Sequence, residues 1–424
     1  MESFLKNIRW YLSDKSLKAI EILILGILLF WGYTRDLGSV VFFPDENFWT
    51  ASSIRFDKLL SADFDSHIWT ENQVIAFEVR PVPSYLTGFS QRLGGVPPND
   101  QPVYWNWGLT EAENIVRGAM PGYVTLWWSR LPMAIISTLS LLLTTLFLAR
   151  YHSRLSAYAF TWIGFNGYFL TNLRRAMSEA SILFFTVLAM AASYKLITAA
   201  RERNLSRSIQ WSLIVGLFSG LAGQSKLTGL ACAGIAIFGS FLVTAPNPSQ
   251  WLTLLKQRVL LIVVFLVTVS TLATFILSYP FFYTNTVNRI WGTFDVRDQI
   301  VKYQLHTYTD QLIPPDHRLA ILFERILDYP LHVDSHQALG LLFHWLNLLI
   351  VVIGISYTIK HTGKGFIEQD YGIILLLGAL FCVVPMLFTP FDWERYYLFP
   401  VYFSCIFFAI GIGQLILKIL EKTK

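Results

Sequence analysis

The stretch Arg258-Val-Leu-Leu-Ile-Val-Val-Phe-Leu-Val-Thr-Val-Ser-Thr-Leu-Ala-Thr-Phe-Ile-Leu-Ser-Tyr279 decides the fold of this chain. Its only charge stands on its first residue. The residues after Arg258 supply the ~20 apolar positions that a helix needs to cross a hydrocarbon core. Runs of the same character fall at 19–42, 123–149, 155–173, 177–197, 210–224, 227–245, 338–359, 371–389 and 397–417. Those at 155–173 and 210–224 are the shortest and carry Gly or Asn interruptions. Of the 424 residues, 54% are hydrophobic and 14% charged, where soluble domains carry roughly 25% charged residues. The expectation is an all-α polytopic membrane protein with about ten transmembrane helices, organised as a single domain over 1–424.

The net charge is +5, but its distribution says more than its sum. With the N-terminus inside, the inner connections carry Arg150 and Arg154, then Arg201, Arg203 and Arg207, then Lys256 and Arg258. Lys360 and Lys364 come next, and Lys418, Lys422 and Lys424 close the chain. This is the alternation expected of positive charge held on the cytoplasmic side. It predicts a protein of the cell membrane with both termini cytoplasmic. Lys6, Arg9, Lys15 and Lys18 precede the first apolar run without a small-residue cleavage site, which reads as a retained signal anchor. Phe4, Ile8, Tyr11 and Leu12 recur at the spacing of a helix lying in the interface. Scattered Lys and Arg make no basic face for a nucleic acid, so membrane lipids are the expected surroundings. Cys232, Cys382 and Cys405 all lie in apolar runs and form no CxxC or Cys/His cluster, so they read as buried free thiols.

The same topology sends everything unusual to the outer face: a first loop (43–122), a second loop (280–337), and three short connections. The first loop opens Phe42-Phe43-Pro44-Asp45-Glu46-Asn47-Phe48-Trp49, two adjacent carboxylates among aromatic rings where the first span surfaces. Phe48, Trp49, Phe56, Leu59 and Leu60 then give an amphipathic helix with Asp45 near its start, where capping alone would also account for an aspartate. Next come Arg80-Pro81-Val82-Pro83-Ser84-Tyr85-Leu86, a proline-fixed entry into a second apolar face, and Tyr104-Trp105-Asn106-Trp107, whose rings suit either an interfacial belt or stacking on a sugar or lipid. The short connections carry Arg174, Arg175 and Glu179, then Gln224-Ser225-Lys226, then Asp392-Trp393-Glu394-Arg395. Arginines at helix ends can snorkel, and Arg395 can pair locally with Asp392 or Glu394, but Glu179 lies a turn inside its span, where charge is costly. The second loop holds Arg297, His306, His317, His332 and His336 and one amphipathic helix through Leu319, Leu322, Phe323, Ile326 and Leu327. The histidines do not follow metal-ligand spacing; one of them, His306, is a candidate substrate contact.

In this order the motifs resemble the C-type glycosyltransferase superfamily, specifically the dolichyl-phosphate-mannose protein mannosyltransferase-like membrane proteins, with the lipid A aminoarabinose transferase among their relatives. The matching pieces are Pro44-Asp45-Glu46, Arg80 to Leu86, Arg130-Leu131-Pro132, Arg175 to Glu179, Gly220 to Lys226, Tyr279-Pro280 and Glu394 to Pro400. Two positions depart from the pattern: a His-Pro-Pro element reads Arg-Pro-Val-Pro here, and a second acidic position, often Asp, is Glu179. The resemblance implies transfer of a sugar from a polyprenyl-phosphate carrier to an acceptor hydroxyl (of a protein, lipid or glycan) at the outer face, with inversion.

The chemistry of the residues agrees with that implication. A hydroxyl needs a positioned base as it attacks, and the departing lipid phosphate needs cations. Asp45 is the candidate base, with Glu46 orienting the acceptor or sharing the role. Lys226, Arg80, Arg175 and Arg395 are candidates for the donor phosphate, Glu179 is the second acidic position, and Tyr85, Trp105 and His306 are candidate substrate contacts. Adjacent carboxylates can take Mg²⁺ or Mn²⁺ through oxygen, but neighbours at a helix start diverge and no Asp-x-Asp is present, so no metal is assigned. A flippase or transporter of lipid-linked sugars would show internal repeats and helices broken at mid-membrane, which are not seen. A surface-polysaccharide ligase or polymerase would share the donor and differ only in the acceptor.

Overall fold

The computed structural model describes residues 14–70, 73–244, 257–330, 337–363 and 370–422. The expected interfacial helix at Phe4 to Leu12, the cations Lys6, Arg9, Lys256, Lys364 and Lys424, and the loop histidines His332 and His336 lie outside them. Every described regular element is a helix. The chain begins with α1 (Asp14–Thr34) and then makes short helices across the first loop: α2 (Glu46–Ala51), α3 (Ile54–Leu60), α4 (Gln73–Glu78), α5 (Pro81–Leu93) and α6 (Glu111–Val116). The bundle continues with α7 (Tyr123–Tyr151), α8 (Arg154–Ile163), α9 (Gly167–Asn172), α10 (Ser178–Arg201), α11 (Leu205–Ser225), α12 (Ala231–Thr244) and α13 (Arg258–Leu277). The second loop carries α14 (Thr286–Thr307) and α15 (Arg318–Asp328), and α16 (Gln337–Gly363), α17 (Asp370–Val383) and α18 (Leu398–Lys422) close the bundle.

Among the described residues, 7 helices are long and apolar enough to cross a membrane: α7, α10, α12, α13, α16, α17 and α18, three of them lengthened by a 3-10 turn. The other three expected spans differ for readable reasons. The run at 155–173 divides because Asn166 caps a new helix, accepting the Phe169 N–H at 2.9 Å while its own amide donates to the Tyr329 carbonyl at 2.9 Å. The run at 210–224 becomes a helix of 21 residues, but it begins earlier, at Leu205, and takes in Arg207. The first run is also a helix of 21 residues, with Leu23, Ile24, Ile27, Phe30 and Trp31 on its exposed, apolar side.

The largest core joins α1, α7, α8, α9, α10, α16, α17 and α18 around Phe160, Phe169, Tyr402 and Phe403, each nearly or fully buried. A second packing unit pairs α11 with α13, where small residues let two backbones approach closely. A Cβ added at Gly220 would lie 2.6 Å from Thr274 Cβ and 2.8 Å from the Thr271 carbonyl, and one at Gly216 would collide with Ser270. Ser270 in turn donates to the Ser212 carbonyl across the seam at 3.4 Å.

The loops are more helical than their sequence pattern suggests. The stretch after Asp45 is two short helices, α2 and α3, in place of one amphipathic helix. Proline at the first position of α5 pre-sets its φ for the helix. The expected amphipathic helix of the second loop is α15, with Leu322 and Leu327 buried and Leu319 and Phe323 exposed. Helix α14, 22 residues long, had no clear apolar period to announce it.

Candidate active site

Asp45 and Glu46, adjacent at the start of α2, go to different partners. Glu46 is fully buried and receives two parallel bonds from the Arg130 guanidinium, Nε to Oε2 at 2.8 Å and Nη2 to Oε1 at 2.7 Å. The backbone N–H groups of Phe43 and Ala176 donate to the same carboxylate at 3.1 and 2.9 Å. Arg130 Nη1 donates to the carbonyls of Leu37 and Val40 at 2.9 and 2.8 Å. The Glu46 carboxylate therefore ties α2 to α7, to the turn after α1 and to the connection before α10. Neither of its oxygens is left to take a proton from an acceptor. This is a different use from the expected share in base chemistry.

Asp45 is partly exposed, and its carboxylate is paired with Arg395. Arg395 does not pair with its neighbours. Asp392 is taken by Arg325 through two bonds of 3.1 and 2.6 Å, and Glu394 accepts from the Tyr329 hydroxyl at 3.3 Å. The Arg395 guanidinium instead lies among aromatic faces, 5.4 Å from the Phe43 ring centroid, 5.5 Å from Trp393 and 5.7 Å from Tyr396. Arg175 shares the Phe43 ring at 5.0 Å. Burial lowers the Arg175 pKa, and the nearby Glu46 works against that fall.

Tyr396 joins this pair to two more. Lys226 Nζ stands 5.0 Å from its ring centroid and 3.3 Å from Glu179 Oε1. Arg297 of α14 donates to the Tyr396 hydroxyl at 3.4 Å and to Glu78 Oε2 at 3.3 Å. Burial works against the Arg297 charge, but Tyr396 and Glu78 outweigh it and raise the pKa. Three cation–carboxylate pairs thus surround one tyrosine: Arg395–Asp45, Lys226–Glu179 and Arg297–Glu78.

The remaining candidates fall around this group or away from it. Arg80 is buried with its guanidinium 5.8 Å from the Phe275 ring centroid, and burial drives its pKa down to about 10. Tyr85 donates to the Ser278 carbonyl at 3.1 Å, fastening α5 to the end of α13. Trp105 is 7% exposed, packed on Phe42 and Trp107, and its backbone N–H donates to Asn47 Oδ1 at 2.7 Å, so its ring serves the loop core. His306 is exposed in the last turn of α14, its Nδ1 2.7 Å from the Lys302 carbonyl; at 1.5 Å per residue it stands about 13 Å along the helix from Arg297. Among the described residues no three His, Cys, Asp or Glu side chains gather to hold a metal, and Asp45 and Glu46 do not converge on one point.

Sequence reasoning gave no role to Arg130, Glu78, Arg297 or Tyr396. A charge several residues inside an apolar span was the available signal for Arg130. Nothing in the sequence could pair Arg297 with Glu78, 219 residues away.

No curated protein matches the chain. Among solved structures it is similar to the oligosaccharyltransferase AglB of Archaeoglobus fulgidus in complex with an inhibitory peptide and a dolichol-phosphate, at 16% identity and a TM-score of 0.49, covering 96% of this chain and 52% of that one. It is also similar to the oligosaccharyltransferase of the same organism in complex with Zn and sulfate, at 14% identity and a TM-score of 0.48, covering 94% of this chain and 49% of that one. The chain spans about half the length of the structures it matches. Residues 100–289, which take in Arg130, Arg175, Glu179, Lys226 and Pro280, match the family model of the dolichyl-phosphate-mannose-protein mannosyltransferases, so the resemblance carried by the motifs holds over that segment.

Proposed function

We propose that the protein is an inverting membrane glycosyltransferase that moves a sugar from a polyprenyl-phosphate carrier to an acceptor hydroxyl. The family match supports a transferase with a lipid-linked donor. The observation that carries the site assignment is the meeting of Asp45, Arg395, Lys226 and Glu179 around Tyr396, from connections far apart in the chain. The charge alternation supports an extracytoplasmic position for that meeting in the cell membrane, with both termini inside.

In this reading the acceptor oxygen attacks the anomeric carbon as its proton passes to Asp45. The bond from that carbon to the phosphate oxygen breaks, and its electron pair leaves with the polyprenyl phosphate. A single displacement inverts the anomeric configuration. The growing charge on phosphate is met by Arg395, whose guanidinium suits a bidentate contact, and by Lys226 as a point charge. Arg395 is paired with Asp45 at rest, so an incoming donor phosphate that takes Arg395 also frees the base. Glu46 positions α2 and does not touch substrate. Arg175, Arg80, Tyr85, Trp105 and His306 have no direct step in this scheme.

Purified protein would be supplied with polyprenyl-phosphate sugars and a hydroxyl acceptor, and released polyprenyl phosphate measured. Wild type should turn over one of these donors and Asp45→Asn should not; equal turnover by the two proteins would refute the assignment of the base.

A further inference from the structure

Helix α13, one of the spans, leaves Phe265, Val269, Leu272 and Leu277 exposed along its length, and in a span such side chains meet acyl chains. The exposed apolar surface continues past the end of that helix. The Tyr283 hydroxyl donates to the Leu277 carbonyl at 2.6 Å, which holds an exposed ring against the last turn of the span. The exposed Phe64 ring of the first loop meets Tyr283 edge-on, with centroids 5.4 Å apart. Val287, Trp291 and Phe294 of α14 follow, at spacings of four and three that put them on one face. Val287 and Trp291 each keep 65% of their surface, and Phe294 is exposed as well.

The other sides of α14 are engaged, so the helix cannot roll to hide this face. Ile290 packs on the cluster of Tyr279, Phe281 and Phe282, and Thr293 is buried. A Cβ added at Gly292 would lie 2.9 Å from the Phe77 ring. Arg289 stands 4.7 Å from the Phe281 ring centroid, and Arg297 reaches Glu78 and Tyr396. Three large apolar side chains on one fixed, uncovered face call for a cover. Two observations choose lipid. The face continues the bilayer-facing side of α13 through Leu277 and Tyr283. It is also apolar only over a short length: Val287 to Phe294 rises about 10 Å, which is the depth to which an interfacial helix sinks. Beyond it the same side of α14 carries the exposed pair Asp298–Lys302, 2.6 Å apart, which belongs in water.

We infer that the first half of α14, from Val287 to Phe294, is embedded in the leaflet at the Leu277 end of α13, with phospholipid acyl chains covering Val287, Trp291 and Phe294. Arg297 follows Phe294 by less than one helical turn, so the membrane surface sets the height at which its guanidinium meets Tyr396. The inference does not depend on the proposed reaction.

Full-length protein carrying Val287→Cys, Trp291→Cys or Asp298→Cys would be labelled with an environment-sensitive fluorophore and placed in phosphatidylcholine nanodiscs. Each label would then be quenched by nitroxide on the lipid acyl chain and, separately, by aqueous iodide. The chain without an added cysteine supplies the background from Cys232, Cys382 and Cys405. Labels at positions 287 and 291 should be quenched by the acyl-chain nitroxide about threefold or more over iodide, and the label at position 298 the reverse. Phe294→Cys makes the same test should either of the first two variants disturb the helix. Iodide quenching at 287 and 291 equal to that at 298 would overturn the inference, because the face would then lie in water. Shielding of both positions from both quenchers would overturn it as well, because a protein partner or a second copy of the chain would then hold the face.

Discussion

Two neighbouring residues at the start of α2 live in opposite surroundings. Beneath residue 46 the protein is sealed: a carboxylate and a guanidinium, both at 0% side-chain exposure, use the fork geometry and four backbone groups to satisfy one another. Around residue 45 it is open: Asp45 and Arg395 keep 14% and 19% of their side-chain surface, and aromatic rings stand where backbone bonds might. The first arrangement is costly to disturb and offers a substrate nothing. The second can exchange partners. One pair therefore serves position and the other, in the proposed reaction, chemistry, although the sequence writes them side by side.

The largest effect is expected at the sealed pair. Removing one partner leaves a buried charge, so Glu46→Ala or Arg130→Ala should cost about 3–5 kcal/mol, read as loss of folded protein or a lowered unfolding midpoint in detergent. Glu46→Met combined with Arg130→Met should recover most of that loss, because an apolar pair of similar size leaves no charge unpaired. If the single substitutions were as mild as exposed-pair changes, the contrast between the two regions would be gone.

Asp45→Asn should act on rate instead, by about 10²–10⁴-fold, with the unfolding midpoint little changed. Lys226→Ala should lower turnover by about 10²-fold and leave stability near wild type. A Lys226→Ala enzyme of full activity would narrow the open region's chemistry by confining phosphate contact to the arginines. The smallest effect is expected from Lys302→Gln, which removes the exposed pair to Asp298 on α14; it should cost less than about 1 kcal/mol and leave turnover unchanged.

Seven of the spans were legible because a bilayer allows few solutions: long apolar runs become helices. Where a polar residue competes, legibility fails. Asn166 reads as a minor interruption of a span, yet its side chain begins a new helix and reaches Tyr329. At the site, the types of residue could be read but their pairing could not. Arg395 has two carboxylates within three residues, yet its partner is Asp45, because Arg325 and Tyr329 arrive from α15 and its end to occupy the nearer ones. Lys226 and Glu179 could be chosen as ionic residues out of place, but only the packing of α10 against α11 brings them together.

The close seam between α11 and α13 bears on motion. Two helices whose backbones meet at Gly216 and Gly220 have no room to slide or roll independently. Lys226 lies directly beyond the end of one, and the second loop springs from the end of the other at Tyr279-Pro280. The seam thus works as a two-railed strut. A displacement where the second loop begins would carry the Lys226 end of the neighbouring helix with it as a rigid movement.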